Sequence, residues 1–151
     1  MRLSGEQLVL DTNVFVHLIR AQVAGQLIEK EYAVGTRRPR AVVPIVVKAE
    51  IKSLALQLGW GATKQTALDA LLTALPTADI SPDPVVASYA TLDHASRQLG
   101  RKMGKNDLWI AALTHVLDGT LLTTDQDFDH LHPKIIKVEY IDPEKLKQGT
   151  I

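Results

Sequence analysis

No cysteine occurs in this chain, so neither a disulfide frame nor a thiolate metal site is open to it. Net charge is also missing: 17 Lys and Arg stand against 17 Asp and Glu, which argues against a protein that holds nucleic acid by bulk charge. Contact with a few phosphates through a local patch is still open. Arg37-Arg38-Pro39-Arg40 is one such patch and Arg101-Lys102 with Lys105 a second, the alternative for each being solvated loop and helix surface. No apolar run approaches the roughly 18 residues that suggest a membrane span. The opening Met1-Arg2-Leu3-Ser4-Gly5-Glu6 lacks the apolar core of a signal peptide. A cytoplasmic protein with no membrane partner is expected. The histidines His17, His94, His115, His130 and His132 form no His-x-x-x-His pair, which argues against a zinc site. No serine sits in a nucleophile elbow and no Gly-rich phosphate loop is present. Aromatics are scarce, at 5%, and Trp60 and Trp109 are expected to pack rather than to stack on bases.

What is present is the composition of a soluble globular protein, 46% hydrophobic and 23% charged. The length of 151 residues suits one domain with its own core. Residues 7–10 read as a short buried strand. From Thr12 the period changes: Val14, Phe15, Leu18, Ile19, Val23, Leu27 and Ile28 recur at helical spacing, with Thr12 or Asn13 as the cap. Residues 31–40 read as a loop, 40–44 as a strand, and 45–58 as a helix ended by Gly59. A helix over 63–75, closed by Pro76, follows the Trp60-Gly61 turn, and 78–80 is a short strand. A proline-tolerant first turn starts the helix 84–99. After a basic turn comes the helix 107–117, capped by Asn106 and ended by Asp118-Gly119. Residues 120–123 form a strand, 126–130 a short helical turn and 135–141 the last strand, with a polar tail beyond Pro143.

This alternation predicts an α/β fold, a three-layer α/β/α sandwich whose central, mainly parallel sheet is covered on both faces. Residues 1–151 are expected to form a single domain, with 59–75 part of a protruding helical arm.

Four acids stand beside the apolar runs. Asp11 follows Leu8-Val9-Leu10, Glu50 follows the run 41–47, Asp107 opens Leu108-Trp109-Ile110-Ala111-Ala112, and Asp125 ends Leu121-Leu122-Thr123-Thr124. Taken singly, each has a structural reading: Asp11 as a helix cap, Glu50 as an exposed helical residue, Asp107 as a first-turn acid favoured by the helix dipole, Asp125 and Asp127 as turn residues. Taken together they point elsewhere, because strand-to-helix junctions of a parallel sheet bring such positions to one edge. Carboxylates converging there repel one another unless a cation neutralises them. Oxygen ligands suit a hard divalent cation such as Mg²⁺ or Mn²⁺, so the pattern predicts a metal-dependent enzyme acting on a phosphate ester. Thr12 and Thr123 are placed to orient the neighbouring carboxylates, or to act as β-branched packing.

At this point Val9-Leu10-Asp11-Thr12-Asn13, Glu50, Asn106-Asp107-Leu108-Trp109-Ile110-Ala111-Ala112 and Leu121-Leu122-Thr123-Thr124-Asp125-Gln126-Asp127-Phe128 resemble the successive acidic motifs of PIN-domain ribonucleases. The resemblance is closest to the VapC-type toxins of toxin–antitoxin pairs. It runs from residue 8 to about 140 and is most specific over 105–131. It implies a Mg²⁺- or Mn²⁺-dependent endoribonuclease in which Asp11, Glu50, Asp107 and Asp125 form the catalytic and metal-binding site, with Asp127 as a variable fifth member. It also implies an RNA substrate, a cognate antitoxin and a homodimer, for which helices rich in Ala and Leu over 54–75 are the first candidate contact. The loop 31–40 is long for a compact toxin of this kind. Two rivals remain. A phosphoaspartyl enzyme with Asp11 as nucleophile calls for a second acid where Asn13 stands. A non-catalytic PIN-like module that binds RNA or protein is countered by the presence of all four acids.

Overall fold

A computed structural model describes residues 1–20 and 22–151. Its strands are β1 (Leu8–Leu10), β2 (Val43–Pro44), β3 (Thr77–Ala78), β4 (Thr120–Thr123) and β5 (Lys137–Tyr140). Every pairing among them is parallel. β1 joins β4 in the register Val9↔Leu121, β4 joins β5 at Leu121↔Val138, and β2 joins β3 at Val43↔Thr77. A parallel bridge between Val9 and Val42 links the two ladders, and the Leu10 N–H donates to the Val42 carbonyl at 3.1 Å. The strands therefore lie in the order β3-β2-β1-β4-β5. Successive strand residues face opposite sides of a sheet, yet Leu8, Val9 and Leu10 are all fully buried. Both faces are covered, and the three-layer sandwich with a parallel sheet is the observed architecture.

The helices are α1 (Thr12–Arg20), α2 (Val23–Tyr32), α3 (Ile45–Gln57), α4 (Ala62–Ala74), α5 (Asp83–Gln98), α6 (Lys105–Val116) and α7 (Pro143–Lys147). A 3₁₀ turn spans Asp129–Leu131. Several expectations need correction. The apolar period from Val14 to Ile28 is shared by two helices; the helix expected to run through it crosses Ala21, which lies outside the described residues. Gly25 shows why two helices can share one stripe: a Cβ there would lie 2.3 Å from the His17 carbonyl oxygen, so α2 folds back into contact with α1. The expected loop at 31–40 begins later, since Glu31 and Tyr32 are still helical.

That loop also consumes a basic patch. Arg37 is only 2% exposed, and its guanidinium donates to the carbonyls of Tyr32 (2.7 Å), Glu6 (3.0 Å) and Leu3. Arg38 donates to the carbonyls of Thr36 and Arg37, and Arg40 to that of Ala74. An arginine enclosed by carbonyls ties the amino-terminal segment to the end of α2; Arg37 does not face solvent phosphates.

The segment 59–75 is tied in as well. Leu68 and Leu72 of α4 are buried, and α4 packs against α1; it is not a free arm. The polar tail beyond Pro143 forms α7, capped by the Asp142 side chain, which accepts from the Glu144 N–H at 2.9 Å. Leu146 anchors it to the core. Trp60 is buried under Lys64, and Trp109 packs against Tyr89 with ring centroids 4.2 Å apart, so both tryptophans are packing residues.

Candidate active site

Strand order places the site. β1 and β4 are neighbours, but from β1 the sheet extends through β2 and β3 to one side, and from β4 through β5 to the other. Such a reversal opens a crevice outside the carboxyl ends of the two central strands. Asp11 comes straight after β1. Its N–H donates to the Leu122 carbonyl at 3.1 Å, and its own carbonyl accepts from Val14 in the first turn of α1. The side chain is 6% exposed. Its Oδ1 accepts from the Thr12 N–H at 2.8 Å and its Oδ2 from the Thr123 hydroxyl at 2.6 Å. The Thr123 oxygen accepts in turn from the Asp125 N–H at 3.0 Å. One hydroxyl thus joins the ends of β1 and β4. Thr12 contributes differently from its expected side-chain role: its N–H does the orienting, and its Oγ1 is buried with no hydrogen-bond partner.

Beyond β4, the Asp127 N–H donates to Asp125 Oδ1 at 2.9 Å, a tight turn that turns both carboxylates toward α6. Asp107 stands in the first turn of α6. One oxygen each from Asp107, Asp125 and Asp127 lies within 4.8 Å of the others. Asp127 therefore stands with the cluster, where the sequence marked it only as a variable member. Glu50 is exposed on α3 and accepts from the Asn106 amide at 3.4 Å. Asn106 was expected as the cap of its helix; the cap position belongs to Gly104, and Asn106 lies inside the first turn. Its proximity to Asp107 in sequence was the only signal for this contact, and the partner on α3 could not be read from it.

The carboxylates influence one another. Burial raises the Asp11 carboxyl above its ordinary range, the hydrogen bonds from Thr123 and Thr12 pull it back, and the charges of Asp125 and Glu50 push it up again. Asp107 is pushed up to about 7, first by burial and then by the charges of Asp11, Asp125, Asp127 and Glu50. A carboxyl so raised marks repulsion that a cation would relieve. The donor set is all oxygen, three carboxylates at one point with a fourth behind them, and it fits a hard divalent ion better than a soft or thiophilic one.

A profile of the PIN domain family matches residues 8–132. No protein of curated function matches the sequence. Among solved structures, VapBC2 from Rickettsia felis bound to a promoter DNA fragment is 23% identical, with a TM-score of 0.71 over 89% of this chain and 98% of that one. VapBC-5 from Mycobacterium tuberculosis, of the VapBC family of toxin–antitoxin systems, is 26% identical, with a TM-score of 0.62 over 90% and 98%. FitAcB from Neisseria gonorrhoeae is 20% identical, with a TM-score of 0.68 over 87% and 96%. The profile runs from the first residue of β1 past the 3₁₀ turn, taking in every acid of the crevice, and on that match the chain belongs to the PIN domain family.

Proposed function

We infer that this chain, acting as one domain, is a Mg²⁺- or Mn²⁺-dependent endoribonuclease and the toxin of a toxin–antitoxin pair. The observation that carries the reading is the convergence of Asp107, Asp125 and Asp127 in front of Asp11 at the crevice between β1 and β4. Similarity to VapBC complexes supports a cognate antitoxin partner, and the absence of any helix long and apolar enough to cross a membrane, among the described residues, is compatible with a cytoplasmic site of action.

In this reading Asp11, Asp107 and Asp125 hold the ion, joined by Asp127, with Glu50 completing the set. A divalent ion held there supplies positive charge against the phosphate and acidity to nearby water. Asp11 is the rigid rear wall: its two oxygens are oriented by Thr12 and Thr123, so its charge cannot swing away from the cluster. Asp125 is coupled to it through the same Thr123 hydroxyl, which keeps the two strand ends in one geometry. Glu50 lies at the solvent rim, steered by Asn106, where its carboxylate can orient the attacking water and take its proton. The water oxygen forms the new bond to phosphorus, the bond to the bridging oxygen breaks, and that oxygen leaves with a proton from solvent.

Cleavage of RNA with Mg²⁺ or Mn²⁺, compared between wild type and Asp11→Asn, tests this. We expect cleavage to fall at least ~100-fold in the variant, the scale on which loss of a charge aimed at the reaction acts. Cleavage retained in Asp11→Asn would overturn the site. A wild type that binds RNA and never cuts it, with either ion, would replace the enzyme by a PIN-like binding module.

A further inference from the structure

A second cavity abuts the acidic cluster. Its volume is about 120 Å³, and it is lined by Arg101, Lys102, Met103, Gly104, Asp107, Asp127 and His130. That is room for a few waters, at ~30 Å³ each, and a phosphate group fits it. Arg101 and Lys102 are exposed, and among the described residues neither forms an ion pair, although Asp107 and Asp127 line the same cavity. His130 closes a wall. Its Nε2 is hydrogen-bonded to the hydroxyl of the fully buried Ser96, and its Nδ1 is buried with no partner. Positive charge also reaches the ring from Arg101. In the other basic cluster of the chain Arg37 is taken up by backbone carbonyls, whereas Arg101 and Lys102 line the cavity beside the acids.

We propose that Arg101, Lys102 and His130 form a phosphate subsite that holds the RNA phosphate next to the one being cut. The proposal rests on the nuclease reading for its substrate class. Consecutive phosphates of a single strand would then lie one over the acidic cluster and one in the basic cavity beside it. A strand is thereby drawn across a crevice that by its own charge would repel it, and a chain of zero net charge binds RNA through a local field rather than a bulk one. His130 shapes the wall of that subsite, held in place by its Nε2 contact with the Ser96 hydroxyl.

The test is the binding of a fluorescein-labelled, mixed-sequence single-stranded RNA of about 12 nucleotides to the full chain, with Ca²⁺ replacing Mg²⁺ to hold the strand uncut. Wild type is compared with Arg101→Gln/Lys102→Gln and with Lys30→Gln/Lys145→Gln, which removes the same charge from α2 and α7. Each phosphate contact on a single strand adds about 0.7 to the slope of log affinity against log salt. The Arg101/Lys102 variant should lose roughly 10-fold in affinity and about 0.7 in slope, the share of the one phosphate it no longer holds, while its Mg²⁺-induced thermal shift stays that of wild type. Unchanged affinity and slope, an equal loss in the Lys30/Lys145 control, or no RNA binding by wild type would each overturn the subsite. RNA bound through Arg101 and Lys102 but never cut would leave the subsite standing and remove the nuclease reading.

Discussion

At the scale of single residues, the two threonines of the crevice make opposite predictions. The Thr123 hydroxyl gives Asp11 one of its two hydrogen bonds inside a site that is 6% exposed. Thr123→Val should cost about 1–3 kcal/mol, the penalty for stripping a partner from a buried charged acceptor. The loss should be larger at pH 8 than at pH 4, where the Asp11 carboxyl is more fully protonated. Thr12→Val removes a hydroxyl that has no partner, so denaturant unfolding should find it neutral or slightly more stable. Equal losses in the two variants would mean that the hydrogen bond to Asp11 does not act as described. Asp107 carries a pH signature of its own. Its carboxyl titrates near 7 in the folded chain, against 3.8 ordinarily. Between those values the folded state holds a proton that the unfolded state has released, so the metal-free protein should lose stability as pH rises from about 4 to about 7. Asp107→Asn should flatten that slope, leaving the part carried by the raised Asp11 carboxyl, and be more stable than wild type at pH 8 by about 1–2 kcal/mol, the part of the shift that survives solvent screening. Thermal unfolding in chelator across that range measures it. With millimolar Mg²⁺ the order should reverse, because only wild type gains from ligand linkage. Equal Mg²⁺ shifts in both proteins would make Asp107 a helix-start residue and nothing more.

At the scale of elements, the α1–α2 turn shows how two helices share one hydrophobic stripe. α1 begins at the residue after Asp11, so its start is set by the site, whereas α2 is held close against it where Gly25 meets the His17 carbonyl. Gly25→Ala would place a methyl 2.3 Å from that oxygen, against backbone that cannot yield cheaply. A cost of about 1–3 kcal/mol is expected from such overpacking, or roughly 2–10 °C in thermal unfolding for a chain of this size. RNA cleavage below the transition should persist, since the start of α1 is pinned separately by the strand hydrogen bond from Asp11 to Leu122. A variant as stable as wild type would show that α2 can shift away from α1. α6 carries the opposite design: its first turn bears Asn106 and Asp107, whose partners lie on α3 and beyond β4, so that helix start serves the crevice before it serves itself.

On the whole-molecule scale, the apolar residues that the core leaves out gather partly at the end of α3. Leu56 is 75% exposed and Leu58 42%, and both belong to the stretch 54–75 in which a helix-mediated contact is proposed. A homodimer at micromolar concentration should sediment as such in wild type and fall to monomer in Leu56→Glu. The free monomer of that variant should unfold within about 0.5 kcal/mol of its wild-type counterpart, as expected for a surface change. A wild type that sediments as a monomer without any partner would remove the dimer. The chain-wide charge balance bears on the same scale, since like charge is concentrated locally and cancelled globally.

The sequence by itself determined most of the alternation of strands and helices, because side-chain alternation and helical period are local properties of the chain; it did not show the break between α1 and α2 or the helix α7 in the polar tail. It also determined that Asp11, Asp107 and Asp125 stand at the boundaries of those runs, for a boundary is legible wherever an apolar run stops; Glu50, which follows the apolar run 41–47, lies within α3. Tertiary structure decided what touches what. Asn106 reads as a cap in isolation and reaches Glu50 only because α3 and α6 pack together. Arg37 reads as a surface cation and is enclosed because the nearby Tyr32 carbonyl and two from the distant amino-terminal segment, Leu3 and Glu6, converge on it. Asp11 joins the acids that follow β4 because β4 lies beside β1, a neighbour relation that strand order alone sets. Local periodicity carries no information about strand order, which follows from the balance of packing over the whole sheet; the sequence therefore predicted that the acids meet at one sheet edge, while which strands flank the crevice and which side chains touch in it came from the fold.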